Sequence, residues 1–158
     1  MAKQQDKTNV MRLLEQKKIP YGRRDYEELE STNGEDIANY LGENPKQVFK
    51  TLVAIGKSKQ YYVFVIPVNA ELDLKKAASA CHEKSVEMIK QKDLLPLTGY
   101  IHGGCSPIGM KKQFSTYVDE SALEYEKILF SAGKVGHQVE VAPSGLEKII
   151  RLEYAQLI

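Results

Sequence analysis

The sequence predicts an α+β fold built on a mixed sheet, with residues 1–158 forming one domain. Three observations lead there. Alternating apolar stretches of strand length recur at 48–54, 61–68, 86–89, 114–118, 128–131 and 138–141. The helix-period stretches between them are short. The two kinds interleave without the regular strand–helix–strand spacing of a parallel sheet, which favours a mixed one.

Each element has a local cause. Over 8–18, Val10, Leu13 and Leu14 share one helix face while Arg12, Glu15 and Lys18 point elsewhere, and Pro20 ends the helix. Residues 21–26 read as a polar, part-exposed strand. Thr32 and Glu35 have the spacing of a capping box; they open a short helix through Ile37, Ala38 and Leu41 that Gly42 stops. Asn44 as cap and Pro45 at the first position predict another helical turn. From Val48 the period becomes two: Phe49, Thr51 and Val53 face one way, and Lys50, Leu52 and Ala54 the other. A turn at 56–59 and the apolar run that follows predict a hairpin. Asp73 caps a helix with Leu74, Ala77 and Ala78 inside. A strand at 86–89 precedes a helical turn or two at 92–97, ended by Gly99. The strands at 128–131 and 138–141 are joined by a turn over 132–136. Residues 143–145 precede a last helix over 146–150, and an extended tail runs to Ile158.

Composition narrows the function classes. With 42% hydrophobic and 27% charged residues, the chain belongs with globular proteins. A net charge of +1 excludes a bulk polycation, and doublets such as Arg23-Arg24 and Lys111-Lys112 read as solvated surface, so DNA is not expected as a partner. The start of the chain is polar, and the longest apolar run, 61–66, is far short of a membrane span. A reducing, cytoplasmic location without a membrane partner follows, with Cys81 and Cys105 as free thiols. The cysteines and histidines lack zinc-ligand spacing, and no metal or cofactor is expected.

Two segments carry candidate chemistry. Gly103-Gly104-Cys105-Ser106-Pro107-Ile108-Gly109 makes a loop with an open main chain, suited either to cradling an oxygen with its amides or to tight connection. Lys50 stands in an otherwise apolar strand, either reaching a pocket, where it would hold a carboxylate or phosphate, or guarding a sheet edge. Cys105 is either a nucleophile, if a base such as His102 activates it, or a small buried thiol, the more ordinary case. His137, at a turn, is expected to be exposed. Ser131 ends a strand, where its hydroxyl serves a pocket or caps the turn. No Ser/His/Asp arrangement assembles.

Five segments occur in order: Phe49-Lys50-Thr51-Leu52-Val53, Leu72-Asp73-Leu74-Lys75-Lys76-Ala77, Val86-Glu87-Met88, Thr98-Gly99-Tyr100 and the loop from Gly103 to Gly109. Together they resemble the YbaK/EbsC family of trans-editing proteins, in the superfamily of the editing domain inserted in bacterial prolyl-tRNA synthetases. The resemblance implies a mostly antiparallel sheet curled into a barrel-like core. It implies deacylation of Cys-tRNA(Pro), with mischarged tRNA(Pro) as substrate and prolyl-tRNA synthetase as a partner. It gives Lys50 the role of the essential lysine and Gly103, Gly104, Cys105, Ser106 and Pro107 that of the loop holding the aminoacyl group. Tyr26, Thr51 and Ser131 fall at pocket positions. The family reaction needs no protein nucleophile, because the substrate's own thiol attacks its ester. On this reading the Gly103 and Gly104 amides stabilise the carbonyl, and Lys50 contacts a phosphate or the terminal ribose. Two rivals remain: an alanine editor using water, and a non-catalytic module that binds tRNA or protein.

Overall fold

The computed structural model describes residues 6–158. In chain order the elements are α1 (Asn9–Gln16), β1 (Gly22–Asp25), α2 (Gly34–Leu41), β2 (Phe49–Gly56), β3 (Tyr61–Pro67), α3 (Leu74–Ala80), β4 (Val86–Met88), α4 (Gln91–Thr98), β5 (Ser115–Asp119), β6 (Ile128–Ser131), β7 (His137–Val141), α5 (Pro143–Ile149) and β8 (Leu152–Ala155). A 3-10 turn at Glu120–Glu124, absent from the sequence reading, links β5 to β6.

The strands form two sheets. One is antiparallel, in the order β1-β7-β6; the other is mixed, in the order β4-β2-β3-β5-β8. The hairpin β2–β3 pairs Lys50 with Ile66 and Thr51 with Val65, whereas β3–β5 and β5–β8 are parallel. Alternation along β3 explains the layering. Val63 and Val65 face the main core, where they meet α1 (Val10, Met11, Leu14) and the inner face of the small sheet (Ile128, Phe130, Val139). Tyr62, Phe64 and Ile66 face a second cluster under α3. With both faces covered, β3 has to be apolar throughout.

The small sheet's outer face carries a third cluster: Leu129 packs with Ala38 of α2, Val48 and Val68. The two sheets meet at one parallel bridge, Val48 to Leu129. They do not close into a barrel, which corrects the barrel-like expectation: a single bridge joins a three-stranded and a five-stranded sheet. On the side of β2 away from β3, pairing with β4 begins only at Ala54. Between that pairing and the Val48 bridge, no strand among the described residues covers the β2 edge. This gap is where the cavity described below lies.

Local corrections have physical causes. Asn33, not Thr32, caps α2: its side chain accepts from the amides of Glu35 and Asp36. Pro45 begins only a single turn, with Asn44 Oδ1 accepting from the Lys46 amide, because β2 follows directly. Leu74 is exposed; Ala77 and Ala78 alone fill the inner face of α3. α5 starts at Pro143 instead of 146, since proline is favoured at a helix's first position. The C-terminal tail becomes β8, a parallel edge strand on β5.

Candidate functional site

Four consecutive residues of β2, Phe49 to Leu52, line one cavity of about 150 Å³. A strand inside a sheet shows a cleft only alternate residues; the uncovered edge of β2 lets both faces contribute. Opposite stand Tyr26, after β1, Ser131 at the end of β6, and Gln138 on β7, with Ser131 and Gln138 paired across the ladder. Thr32, Gly34 and Ile37 close one side, and Leu94, His102, Gly103 and Cys105 another. A shallower cleft of about 500 Å³ beside β5 and β8 (Phe114, Tyr117, Arg151) contains none of the expected site residues.

Lys50 and the glycine loop therefore reach one shared cavity. The Lys50 side chain is partly buried, and among the described residues no carboxylate pairs with it. The remaining lining residue able to carry charge is His102; no carboxylate lines the cavity. A pocket with a cation and no anion suits a ligand that carries or develops negative charge.

The loop contributes less than the sequence suggests. Gly103 and Cys105 line the cavity, but Gly104, Ser106 and Pro107 do not. The Gly104 amide donates to the Ile101 carbonyl at 3.0 Å, so it cannot also hold a substrate oxygen. A Cβ at Gly104 would lie 3.2 Å from the Val135 amide, so the role of this glycine is close packing on the β6–β7 turn. Ser106 is fully buried, and its hydroxyl accepts from the Ile108 amide, holding the loop's shape. Gly103 adopts a φ of +88°, and a Cβ there would lie 2.8 Å from Thr32 Cγ2. Thr32, freed from capping, thus packs the loop against the entrance to α2.

Cys105 lines the cavity, where burial works against its thiolate form. Burial pushes its thiol up to about 12, against a hydrogen bond from Thr98 that pulls the other way. A Cys105→Ser variant is expected to keep its activity within about threefold in steady-state assays, where loss of a nucleophile would cost orders of magnitude. Burial likewise raises the Tyr26 phenol, which stays neutral as a wall group. Ser131 is among the residues lining the cavity, and its hydroxyl accepts from the Gly133 amide at 3.1 Å.

His137 corrects the sequence reading. It is buried, with Nδ1 2.6 Å from Asp25 Oδ1 and Nε2 3.2 Å from Glu27 Oε1. Arg23 Nε also donates to Asp25 at 3.0 Å. These three acid and histidine groups lie within metal-ligand spacing of one another. Both imidazole nitrogens and the Asp25 carboxylate already have protein partners, however, and the cluster ties β1 to β7.

Sequence reasoning missed Gln138. It is 4% exposed, and its Oε1 has no hydrogen-bond partner; the same is true of Thr51 Oγ1 on the facing wall. The sequence carried no local signal for it, because a glutamine in a strand reads as solvent-facing.

The match to known proteins follows this geometry. Residues 28–149 match the family described as the aminoacyl-tRNA editing domain. The chain belongs to that family. A candidate Cys-tRNA(Pro)/Cys-tRNA(Cys) deacylase, EbsC of Enterococcus faecalis (strain ATCC 700802 / V583), is 48% identical over 156 residues, covering 98% of this chain and 95% of that protein. Two crystal structures share the editing domain's fold. One, of a hypothetical protein, has a TM-score of 0.85 at 20% identity, covering 94% of this chain and 97% of the other. The other, described as a candidate trans-editing enzyme for prolyl tRNA synthetase, has a TM-score of 0.79 at 24% identity, covering 94% and 93%. In this editing domain, α1 and β8 lie outside the matched range yet pack into the main core through Val10, Met11, Leu14, Leu152 and Tyr154.

Proposed function

We propose that this protein is a trans-editing deacylase that removes cysteine from mischarged Cys-tRNA(Pro). The observation that carries the reading is the cavity. It is small, it joins Lys50 to Gly103, and its one thiol is held protonated by burial. The 48% identical relative named as a candidate Cys-tRNA deacylase supports the choice of substrate. A synthetase pocket discriminates poorly between small side chains of similar size, which is why a second site that removes the error is useful.

Without a protein nucleophile, the substrate's sulfur is the attacking group. It adds to the ester carbonyl, the bond from that carbon to the ribose oxygen breaks, and the proton lost by the thiol balances the one the ribose oxygen takes up, so the tRNA leaves as a free hydroxyl and cysteine as a cyclic thiolactone. The protein contributes orientation and charge. Lys50 holds the terminal ribose or phosphate and organises the pocket. The Gly103 amide, which has no partner among the described residues, faces the carbonyl. Near-neutral charge leaves little electrostatic grip on tRNA, so selectivity for tRNA(Pro) comes from a complex with prolyl-tRNA synthetase.

The test is a deacylation panel with Cys-tRNA(Pro), Ala-tRNA(Pro) and Cys-tRNA(Cys). The cysteinyl esters are expected to be cleared and the alanyl ester spared. Clearing of Ala-tRNA(Pro) at the same rate would replace this reading with a water-using alanine editor, and clearing of none would leave a binding module.

A further inference from the structure

The cavity lies between two segments of opposite charge. One flank is built from residues 26–37, which supply the lining residues Tyr26, Thr32, Gly34 and Ile37. That segment carries Glu27, Glu28, Glu30, Glu35 and Asp36, all exposed, and no lysine or arginine. The other flank is built from residues 90–112, which supply Leu94, His102, Gly103 and Cys105. That segment carries Lys90, Lys92, Lys111 and Lys112 against one carboxylate, Asp93. The four lysines are exposed and have no ion-pair partner among the described residues. The near-zero net charge of the whole chain hides this division.

The basic flank also leaves apolar groups in water. On α4, Lys92 and Leu95 are both exposed and stand three residues apart, on one helix face. Leu95 is 50% exposed and follows the lining residue Leu94; Ile101 is 55% exposed and precedes the lining residue His102. Consecutive Cα atoms are about 3.8 Å apart, so both stand at the edge of the cavity. The Ile101 carbonyl accepts from the Gly104 amide at 3.0 Å, a turn that fixes Ile101 beside Gly103. Lys111 lies at the end of α4: its amide donates to the Thr98 carbonyl at 2.9 Å, and its Cγ would be 3.3 Å from a Cβ at Gly99. Lys112 is turned away to the Phe114 ring, with Nζ 5.9 Å from the centroid.

We propose that this strip, from Lys90 along α4 to His102 with Lys111 at the helix end, is the landing surface for the single-stranded end of the RNA that carries the aminoacyl ester. The assignment rests on the editing function proposed above. Covalent bonding limits where the RNA can go. With the aminoacyl group in the cavity, its ribose stands at the opening, and the base and the next phosphate hang from that ribose. They have to cross a flank. The acidic flank repels phosphate, whereas the basic one offers the ammonium groups of Lys90, Lys92 and Lys111. Among these, Leu95 and Ile101 give an apolar surface to the flat face of a base, a contact that any base can make. Such a surface positions the RNA without reading its sequence, which fits selectivity between tRNAs arising elsewhere.

The experiment compares two substrates: Cys-tRNA(Pro), and cysteinyl adenosine, an ester with the same ribose and base but no phosphate. Values of kcat and KM are measured for both over a range of salt concentrations. The proteins are wild type, a triple variant (Lys90→Glu, Lys92→Glu, Lys111→Glu), a serine pair (Leu95→Ser, Ile101→Ser) and a lysine pair (Glu28→Lys, Glu30→Lys). In the triple variant, kcat/KM for Cys-tRNA(Pro) relative to cysteinyl adenosine is expected to fall about tenfold or more, with the loss in KM. The log–log salt dependence for Cys-tRNA(Pro) should flatten by about 2, at roughly 0.7 for each phosphate contact removed. The serine pair should raise KM about fivefold for both substrates, since both carry the base. An unchanged ratio and slope in the triple variant would overturn the assignment, as would a slope that responds to the lysine pair alone. A triple-variant effect seen only with prolyl-tRNA synthetase present would overturn it too, by making the strip a protein-docking face. So would an unchanged KM in the serine pair. The ratio is taken on one preparation, so partial unfolding of a variant cancels from it. All these outcomes leave the editing function standing. Wild type that deacylates neither substrate would overturn that function and the landing surface with it.

Discussion

Replacing Lys50 with alanine is expected to slow deacylation of Cys-tRNA(Pro) at least 100-fold while leaving the fold intact. The size follows from the place of the charge. A preorganised cation held against the terminal ribose, whose oxygen takes up negative charge as the ester breaks, is worth roughly 10²–10³ in rate. Lys50 is the lysine of this cavity, and no acidic residue lines the cavity to share its charge. The effect on stability is small for the same reason. The side chain has no ion-pair partner among the described residues, so its removal strands no buried carboxylate. A shift of about 0.5 kcal/mol or less is expected, as for a surface change. Lys50→Arg should not restore full activity, because a planar fork replaces a compact ammonium in a cavity of about 150 Å³. Initial rates and thermal melting on the same preparations check both halves. A Lys50→Ala variant within threefold of wild type would remove lysine from the mechanism.

The second large effect is expected at Gly103. Gly103→Val imposes two penalties at once. The φ of +88° is unfavourable for any side chain and worst for a β-branched one. The new Cβ would also meet Thr32 Cγ2 at 2.8 Å and Thr32 Cβ at 2.9 Å. Strain and overpacking together suggest a loss of about 2–4 kcal/mol, a fall in Tm on the order of 5–15 °C. Thr32 and Gly103 both line the cavity, so relief of the clash moves its wall, and activity should fall at least 100-fold. Gly103→Ala paired with Thr32→Gly separates the two causes: the double variant should recover the steric part of the loss and keep the backbone part. Full recovery, or none, would contradict this division.

Much of this architecture was legible in the sequence because local chemistry dictated it. The α2 stop at Gly42, with φ +70°, and the cap of α3 at Asp73 are local side-chain and backbone events. The β2–β3 hairpin followed from two apolar runs around a short turn. Lys50 and Gly103 were found because a lone cation in a strand and a glycine-rich loop are visible as residue types. What escaped was long-range. The edge gap in β2 depends on where β4 stops pairing and where β6 makes its one bridge, and no local pattern encodes either. His137 was expected at the surface because the preceding Gly136 marks a turn; its polar partners Asp25 and Glu27 lie more than a hundred residues earlier. Gly104 looked like an open amide and proved to be a packing position, a distinction set by Val135 across the turn. Gln138 was hidden because a glutamine in a strand reads as solvent-facing until the opposite wall is known.

The proposed mechanism has a small cavity with one lysine and no protein nucleophile, so that the side chain of the bound amino acid attacks. The relative initial rates of deacylation for cysteinyl- and seryl-tRNA(Pro), with wild-type protein under identical conditions, test this directly. The two esters differ by one atom, sulfur for oxygen, and the hydroxyl is the far weaker nucleophile near neutral pH. The expected result is clearance of the cysteinyl ester at least 100-fold faster than the seryl ester; equal rates would show that water or a protein group attacks and would contradict the account.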